Sequence, residues 1–196
     1  MTEGEWLTGT DPVAMLEFVR GKLSDRKLRL FNVACCRRAW WLLDKNRSKN
    51  AVEVAERFAD GRATEEKLRK AYEAAAEAAY ELGDWWAHDA AQCAAPDADA
   101  QEASRRIAFG GKKESEARSG LLRHIIGNPL RPYAAPASWP SAVSDLAQAL
   151  YDGNGDRLIL ADALEEAGHQ ELAQHFRAEE WHPKGCWVVD LVVGKG

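Results

Sequence analysis

The chain has 196 residues, of which 46% are hydrophobic and 29% are charged, and its formal net charge is −5. These values are typical of a globular protein of one good-sized domain or two small ones, and the negative charge argues against a protein with a largely basic surface. Four cysteines, two of them adjacent, are not a secreted disulfide framework. No run approaches 18 apolar residues and no signal-peptide core opens the chain, so we expect a cytoplasmic protein with no membrane span.

Helix signals follow one another in the first third of the chain. Thr10 or Asp11 before Pro12 predicts a helix start, with an end near Gly21. Ser24 predicts the start of a longer helix with apolar residues on one stripe. Asn50 is predicted to cap a third helix that ends before Gly61.

The strongest predicted helix begins after Thr64, is rich in alanine and ends at Pro96. The stretch from Pro96 to Gly120 is weaker, and its "GGKKESEARSG" predicts a loop or a frayed helix. One or two further helical turns are predicted before Gly127. An Ala-rich helix face of this kind would allow another helix to approach closely.

Four prolines in residues 128–140 predict an extended connector. We therefore expect an N-terminal helical bundle over 1–127 and a smaller C-terminal helical subdomain over 141–196, packed on the bundle. Ser141 is predicted to cap the first of three short helices, and the apolar tail is either a strand or a last helical turn. The expected fold is all-α, a multi-helix bundle of about seven helices.

The stretch "DGNGD" at 152–156 alternates acidic and amide residues as the start of a calcium loop does. Such a loop requires glycine at position six and glutamate at position twelve. Counted from Asp152, these positions hold Arg157 and Ala163. We therefore interpret the stretch as a turn, with Asn154 or Asp156 capping the next helix.

The segment that follows resembles a short motif found in many planctomycete proteins, often beside leucine-rich repeats. Its matching residues are Arg157, Leu158, Ala161, Asp162, Leu164, Gly168, Phe176 and Arg177. Ala163 stands where that motif has tryptophan. Further blocks such as "MLEFVRGKLSDRKLRLFNVACCRRAWWLL" and "GCWVVDLVVGK" resemble a larger planctomycete domain family without an assigned activity, so the resemblance implies relatives and no chemistry.

A weak metal-binding pattern lies near the C-terminus. His182 and Cys186 flank a Pro-Lys-Gly turn, and His175 precedes them by seven residues. Imidazole and thiolate are zinc ligands, although the paired Cys-x-x-Cys spacing is absent. The preferred interpretation is a protein without a cofactor. The alternative is a structural zinc bound by His175, His182 and Cys186.

Positive charge is concentrated between Phe18 and Lys49, where ten basic residues face two acidic ones. Within it, Arg26, Lys27, Arg37 and Arg38 are candidates for contact with nucleic acid. The alternative is that this segment pairs with the acidic helix around Glu65 to Glu81. Because the whole chain is acidic, we favour internal pairing over nucleic-acid binding.

No nucleophile motif or phosphate-binding glycine loop is present, and adjacent His88 and Asp89 would point about 100° apart on a helix. We therefore predict no catalytic residues and no enzyme. The tandem tryptophans leave one indole of each pair away from the core, and Trp41 and Trp86 are candidates for partner binding. The predicted function is a non-catalytic interaction or scaffold module with a protein partner or a second copy of itself.

Overall fold

The protein is described here from a computed structural model, which covers residues 1–43, 46–83, 85–95, 104 and 111–195. This part of the chain is all-helical, as predicted, and holds eleven α-helices rather than about seven. They are α1 Glu3–Thr8, α2 Pro12–Phe18, α3 Asp25–Arg38, α4 Asn46–Ala59, α5 Glu65–Leu82, α6 Trp85–Cys93, α7 Lys112–Ile126, α8 Ser141–Tyr151, α9 Arg157–Glu166, α10 Gln170–Ala178 and α11 Trp187–Val193. A short 3₁₀ helix, Trp40–Leu42, follows α3.

Several helix starts follow their predicted capping residues. The carboxylate of Asp11 accepts hydrogen bonds from two amides of the first turn of α2, and Ser24 and Thr64 cap α3 and α5 in the same way. Asp156 caps α9 by accepting from the amide of Leu158 at 2.8 Å. These polar side chains satisfy amides that have no partner within the helix.

Other boundaries differ from the prediction. Helix α4 begins at Asn46, so Asn50 lies inside the helix and does not cap it. The single long alanine-rich helix is divided in two, because Gly83 takes a left-handed conformation with φ 61° and ends α5. The predicted capping role of Ser141 was also wrong, since Ser141 is already helical and Pro140 precedes it.

Two segments are more helical than predicted. Of the two alternatives for "KKESEARSG", a loop or a frayed helix, the structure has a helix: the stretch is part of α7, whose Leu121, Leu122 and Ile125 are buried in the core. The apolar tail forms α11, which buries three valines. The first helix, α1, was not predicted, although Thr2 and Glu5 form a reciprocal capping box at its start.

The chain divides into two compact units, Met1–Ile125 and Ile126–Gly196. The first unit has its own core, with Trp6, Met15, Leu16, Phe31, Leu68 and Leu122 among its fully buried side chains. The second unit buries side chains from α8 to α11 around Leu160, Leu164 and Phe176, and Tyr133 and Trp139 pack against this cluster. The proline-rich connector therefore belongs to the second unit. Among the described helices, none is long and apolar enough to cross a membrane.

Candidate metal centre

Three side chains predicted as metal ligands lie together in the second unit. His175 is on the last turn of α10, His182 is on the loop after that helix, and Cys186 immediately precedes α11. Leu172 and Phe176 anchor α10 in the core, and Val188 anchors α11 in the same way. The burial of these apolar residues therefore brings the imidazoles and the thiol to one place.

The distances between the potential ligand atoms suit a tetrahedral ion. The Sγ of Cys186 is 3.2 Å from Nε2 of His175 and 3.8 Å from Nδ1 of His182. All the ligand atoms of the group lie within 4.8 Å of one another. Zinc–sulfur and zinc–nitrogen bonds of about 2.3 and 2.05 Å at a tetrahedral angle would separate sulfur from nitrogen by about 3.6 Å. The two observed separations lie on either side of this value.

The tautomer of His182 favours metal binding. Its Nε2 donates a hydrogen bond to the carbonyl oxygen of Glu179 at 2.9 Å. The proton is therefore on Nε2, and Nδ1 presents a lone pair toward Cys186. A backbone carbonyl that orients the second nitrogen of a ligand histidine is the usual arrangement around protein-bound metals.

Burial lowers the pKa of His182, the hydrogen bond to Glu179 raises it, and the nearby charge of Arg157 lowers it further. The net effect is a pKa below the ordinary 6.5, which keeps the imidazole neutral at pH 7. A neutral imidazole is the form that binds a metal. Arg157 also donates a hydrogen bond to the carbonyl oxygen of Phe176, so this cation is held by the backbone near the group.

Aromatic contacts fix the orientation of both imidazoles. The ring of His175 meets Trp187 edge-on at a centroid distance of 5.8 Å, and the ring of His182 lies 4.7 Å from Phe176. The two imidazoles are 5.1 Å apart. Packed rings of this kind hold ligand atoms in place before an ion binds, which reduces the entropy lost on binding.

The predicted nucleic-acid residues are engaged within the first unit. Arg37 bonds to Glu56 at 3.0 Å, Arg38 to Glu114, and the amine of Lys27 to the carbonyl oxygen of Ile125 at 3.0 Å. Arg26 lies 3.7 Å from Asp60. The carboxylates that pair with Arg26, Arg37 and Arg38 lie outside the predicted acidic segment of Glu65 to Glu81, whereas Arg47, beside Glu77 and Glu81, makes the predicted contact with α5.

The two tryptophan pairs differ in how they are placed. Trp41 is 75% exposed, while Trp40 is covered by the guanidinium of Arg37 at 4.3 Å. In the second pair the exposed indole is Trp85, at 84%, and Trp86 is partly buried with Arg118 above its ring at 5.7 Å. Trp86 therefore faces the interior, which differs from the prediction. Because α5 ends before Gly83, Trp85 and Trp86 belong to a separate helix, α6, and the orientation of α6 exposes Trp85.

The acid–base pair considered at His88 and Asp89 is separated by the helix. The carboxylate of Asp89 pairs with the buried Arg118 at 3.2 Å, while His88 faces outward. The carboxylates of Asp162 and Glu165 bind Arg177, so they hold α9 to α10. The three carboxylates of Asp89, Asp162 and Glu165 are therefore engaged with arginines.

Sequence reasoning missed a basic pocket between α4 and α5, lined by Arg57, Arg62, Lys67 and Lys70. The sequence signal for it is weak: Lys67 and Lys70 share a helix face because they are three residues apart, but Arg57 and Arg62 lie on the other side of a turn. The chain matches no family model, no curated protein and no solved structure.

Proposed function

We propose that this protein is a zinc-binding helical module in which the ion joins α10, the following loop and α11 through His175, His182 and Cys186. The observation that carries the proposal is the approach of two imidazole nitrogens to one thiol sulfur at 3.2 and 3.8 Å. Imidazole and thiolate together favour zinc or copper over calcium and magnesium. The ion would be structural, because its ligands tie elements of one small unit together.

Metal analysis of protein purified without a histidine tag tests this proposal. We expect about one zinc per chain, as structural sites hold a single ion. Single replacements His175→Ala, His182→Ala and Cys186→Ser should lower the zinc content strongly. His88→Ala is the matched control, since His88 is an exposed histidine of the first unit. Less than half an equivalent of zinc in the unaltered protein would contradict the proposal.

Cobalt substitution tests the thiolate ligand separately. Cobalt bound through Cys186 should give a sulfur-to-metal charge-transfer band, which Cys186→Ser removes and Cys35→Ser leaves unchanged. Cys35 is the matched control because it is a buried cysteine outside the group. A band that survives Cys186→Ser would show that the metal is bound elsewhere.

Three protein ligands leave one position of a tetrahedron, which a water molecule or another side chain fills.

The exposed aromatics of the first unit support a second function, self-association. Tyr80 is 93% exposed and Trp85 is 84% exposed. They border a groove of about 340 Å³ between α5 and α6, whose alanine positions allow close approach of another helix. Exposed aromatic side chains on rigid helices are common binding hot spots.

Light scattering across a range of concentrations tests this second proposal. We expect a mass above that of the monomer, reduced by Trp85→Ala and by Tyr80→Ala. Trp86→Ala should instead lower stability, since that indole is partly buried beside Arg118. Trp41→Ala tests the other exposed indole. A monomer at all concentrations would contradict self-association.

A further inference from the structure

The basic pocket of the first unit has a volume of about 350 Å³. Asn50, Val54 and Arg57 line it from one face of α4, and Lys67, Lys70 and Ala71 line it from one face of α5. The spacing of three or four residues on each helix places these side chains side by side. Val54 and Ala71 are buried, so they form an apolar floor beneath the charged groups.

The turn between the two helices brings further charge to the pocket. The amide of Arg62 donates to the carbonyl oxygen of Arg57 at 2.7 Å, and Gly61 has φ 70°. This closing turn at the end of α4 requires the left-handed conformation that glycine adopts without strain. As a result, Arg57 and Arg62 both line the same pocket.

The pocket is lined by four cationic side chains and by no carboxylate. Arg57 and Lys67 form no ion pair with any residue in the described part of the chain. Lys70 pairs with Glu66 at 2.7 Å, but both side chains are about two-thirds exposed, at 65% and 68%. Such an exposed pair contributes little and exchanges readily with another anion. Within the described part of the chain, Arg57 and Lys67 therefore supply the positive charge that is available to a ligand, and Lys70 can add to it by exchanging its partner.

We propose that this pocket binds a small ligand that carries at least two phosphate groups, such as a nucleoside diphosphate or an inorganic polyphosphate. Arg57, Lys67 and the exchangeable Lys70 around a pocket of this volume suit two adjacent phosphates, and the guanidinium of Arg57 can bind two phosphate oxygens at once. The volume is that of a small-molecule site. An extended nucleic acid is disfavoured because Arg37 and Arg38 are paired with acidic side chains and supply no continuous basic track.

Calorimetric titration of the full chain with inorganic pyrophosphate tests the proposal. We expect a Kd below about 1 mM at physiological salt. The double variant Arg57→Ala with Lys67→Ala should weaken binding by about tenfold or more, since hydrogen bonds to charged groups are lost. Arg69→Ala is the matched control, because Arg69 lies on α5, pairs with Glu73 and does not line the pocket. Circular dichroism checks that each variant remains folded.

A parallel titration with ADP distinguishes the two ligand sources. Tighter binding of ADP than of pyrophosphate supports a nucleotide, and equal binding supports a polyphosphate. The proposal is overturned if neither ligand binds, or if the double variant and Arg69→Ala weaken binding equally. Tighter binding of a DNA duplex with the same dependence on Arg57 and Lys67 would also overturn it. None of these outcomes depends on the metal centre.

Discussion

At the scale of single residues, the atoms that position a ligand group are often backbone atoms. The carbonyl oxygen of Glu179 accepts the Nε2 hydrogen of His182 and so determines which nitrogen is left to bind. No pattern of residue types encodes this contact, because any residue at position 179 offers the same carbonyl. Residue types at 175, 182 and 186 could therefore be selected from the sequence, whereas the tautomer required the backbone of the loop.

The carboxylate of Glu5 provides a pH-dependent contact at the first helix. Hydrogen bonds from the backbone and then the side chain of Thr2 lower the pKa of Glu5 below 4.5. Because the folded-state pKa is depressed, this contact stabilises the folded state above the unfolded pKa of 4.5. The contribution is lost as the pH falls through the lower, folded-state pKa.

We predict that NMR titration gives a Glu5 midpoint below 4.5, and that Thr2→Ala moves it toward that value. The side-chain hydrogen bond from Thr2 is lost in this variant, while its amide remains. Glu3, on the same exposed turn, is the reference for general effects of charge. A Glu5 midpoint that does not respond to Thr2→Ala would contradict the role of the capping box.

At the scale of elements, the turn between α8 and α9 requires glycine at position 155, because the backbone of α8 lies against it. A Cβ added there would lie 2.4 Å from the backbone nitrogen of Leu150. The amide of Asn154 donates to the carbonyl oxygen of Ala149 at 2.9 Å, which draws the chain back onto the end of α8. The alternating polar residues of this stretch therefore belong to a tight helix connection.

We predict that Gly155→Ala lowers the free energy of unfolding by about 1–3 kcal/mol, the range for overpacking against atoms that cannot move freely. Denaturant unfolding measures this change. Asn154→Ala, at the adjacent exposed position, should change stability by less than about 0.5 kcal/mol. Equal free energies of unfolding for the two variants would contradict this prediction, because they would show that the backbone of Leu150 moves to accept the added Cβ.

The helix capping residues show how far local sequence determines the elements. Asp11, Ser24, Thr64 and Asp156 were all predicted to start helices, because their hydrogen bonds reach only two or three residues along the chain. The division at Gly83 was missed because alanine-rich sequence on both sides favours an unbroken helix. The length of helix α7 was underestimated, since only its last one or two turns were predicted firmly and its burial depends on side chains distant in sequence.

At the scale of the whole molecule, the pairing of charges is easier to anticipate from the sequence than the grouping of side chains into pockets. The basic segment before Lys49 pairs with acidic side chains of other helices, as the acidic total indicated. The basic pocket was less accessible than the metal-binding group: His175, His182 and Cys186 were grouped from the sequence, whereas grouping Arg57 with Lys67 requires knowing how α4 and α5 fold back on each other. The spacing of residues on one helix predicts which side chains share a face. The spacing of residues on either side of a turn predicts this only when the geometry of the turn is known.

We predict that removal of zinc by a chelator destabilises α10 and α11 more than the rest of the protein. Hydrogen exchange of α10 and α11 should accelerate when zinc is removed, because the ion would hold these two elements together. Exchange in α3 and α4, which lie in the first unit, is the internal reference. Uniform acceleration across the chain would show that the ion supports global stability. No change in α10 and α11 would contradict a structural ion.

The position of the three ligands along the chain also has a consequence for the order of folding. His175, His182 and Cys186 lie within one short stretch, residues 175–186. A loop of about ten residues closes in about 10–100 ns, and its closure entropy is small. Under the proposed zinc-binding function, this segment alone would capture the ion early after synthesis, and the closed loop would then act as a local nucleus on which the neighbouring helices assemble.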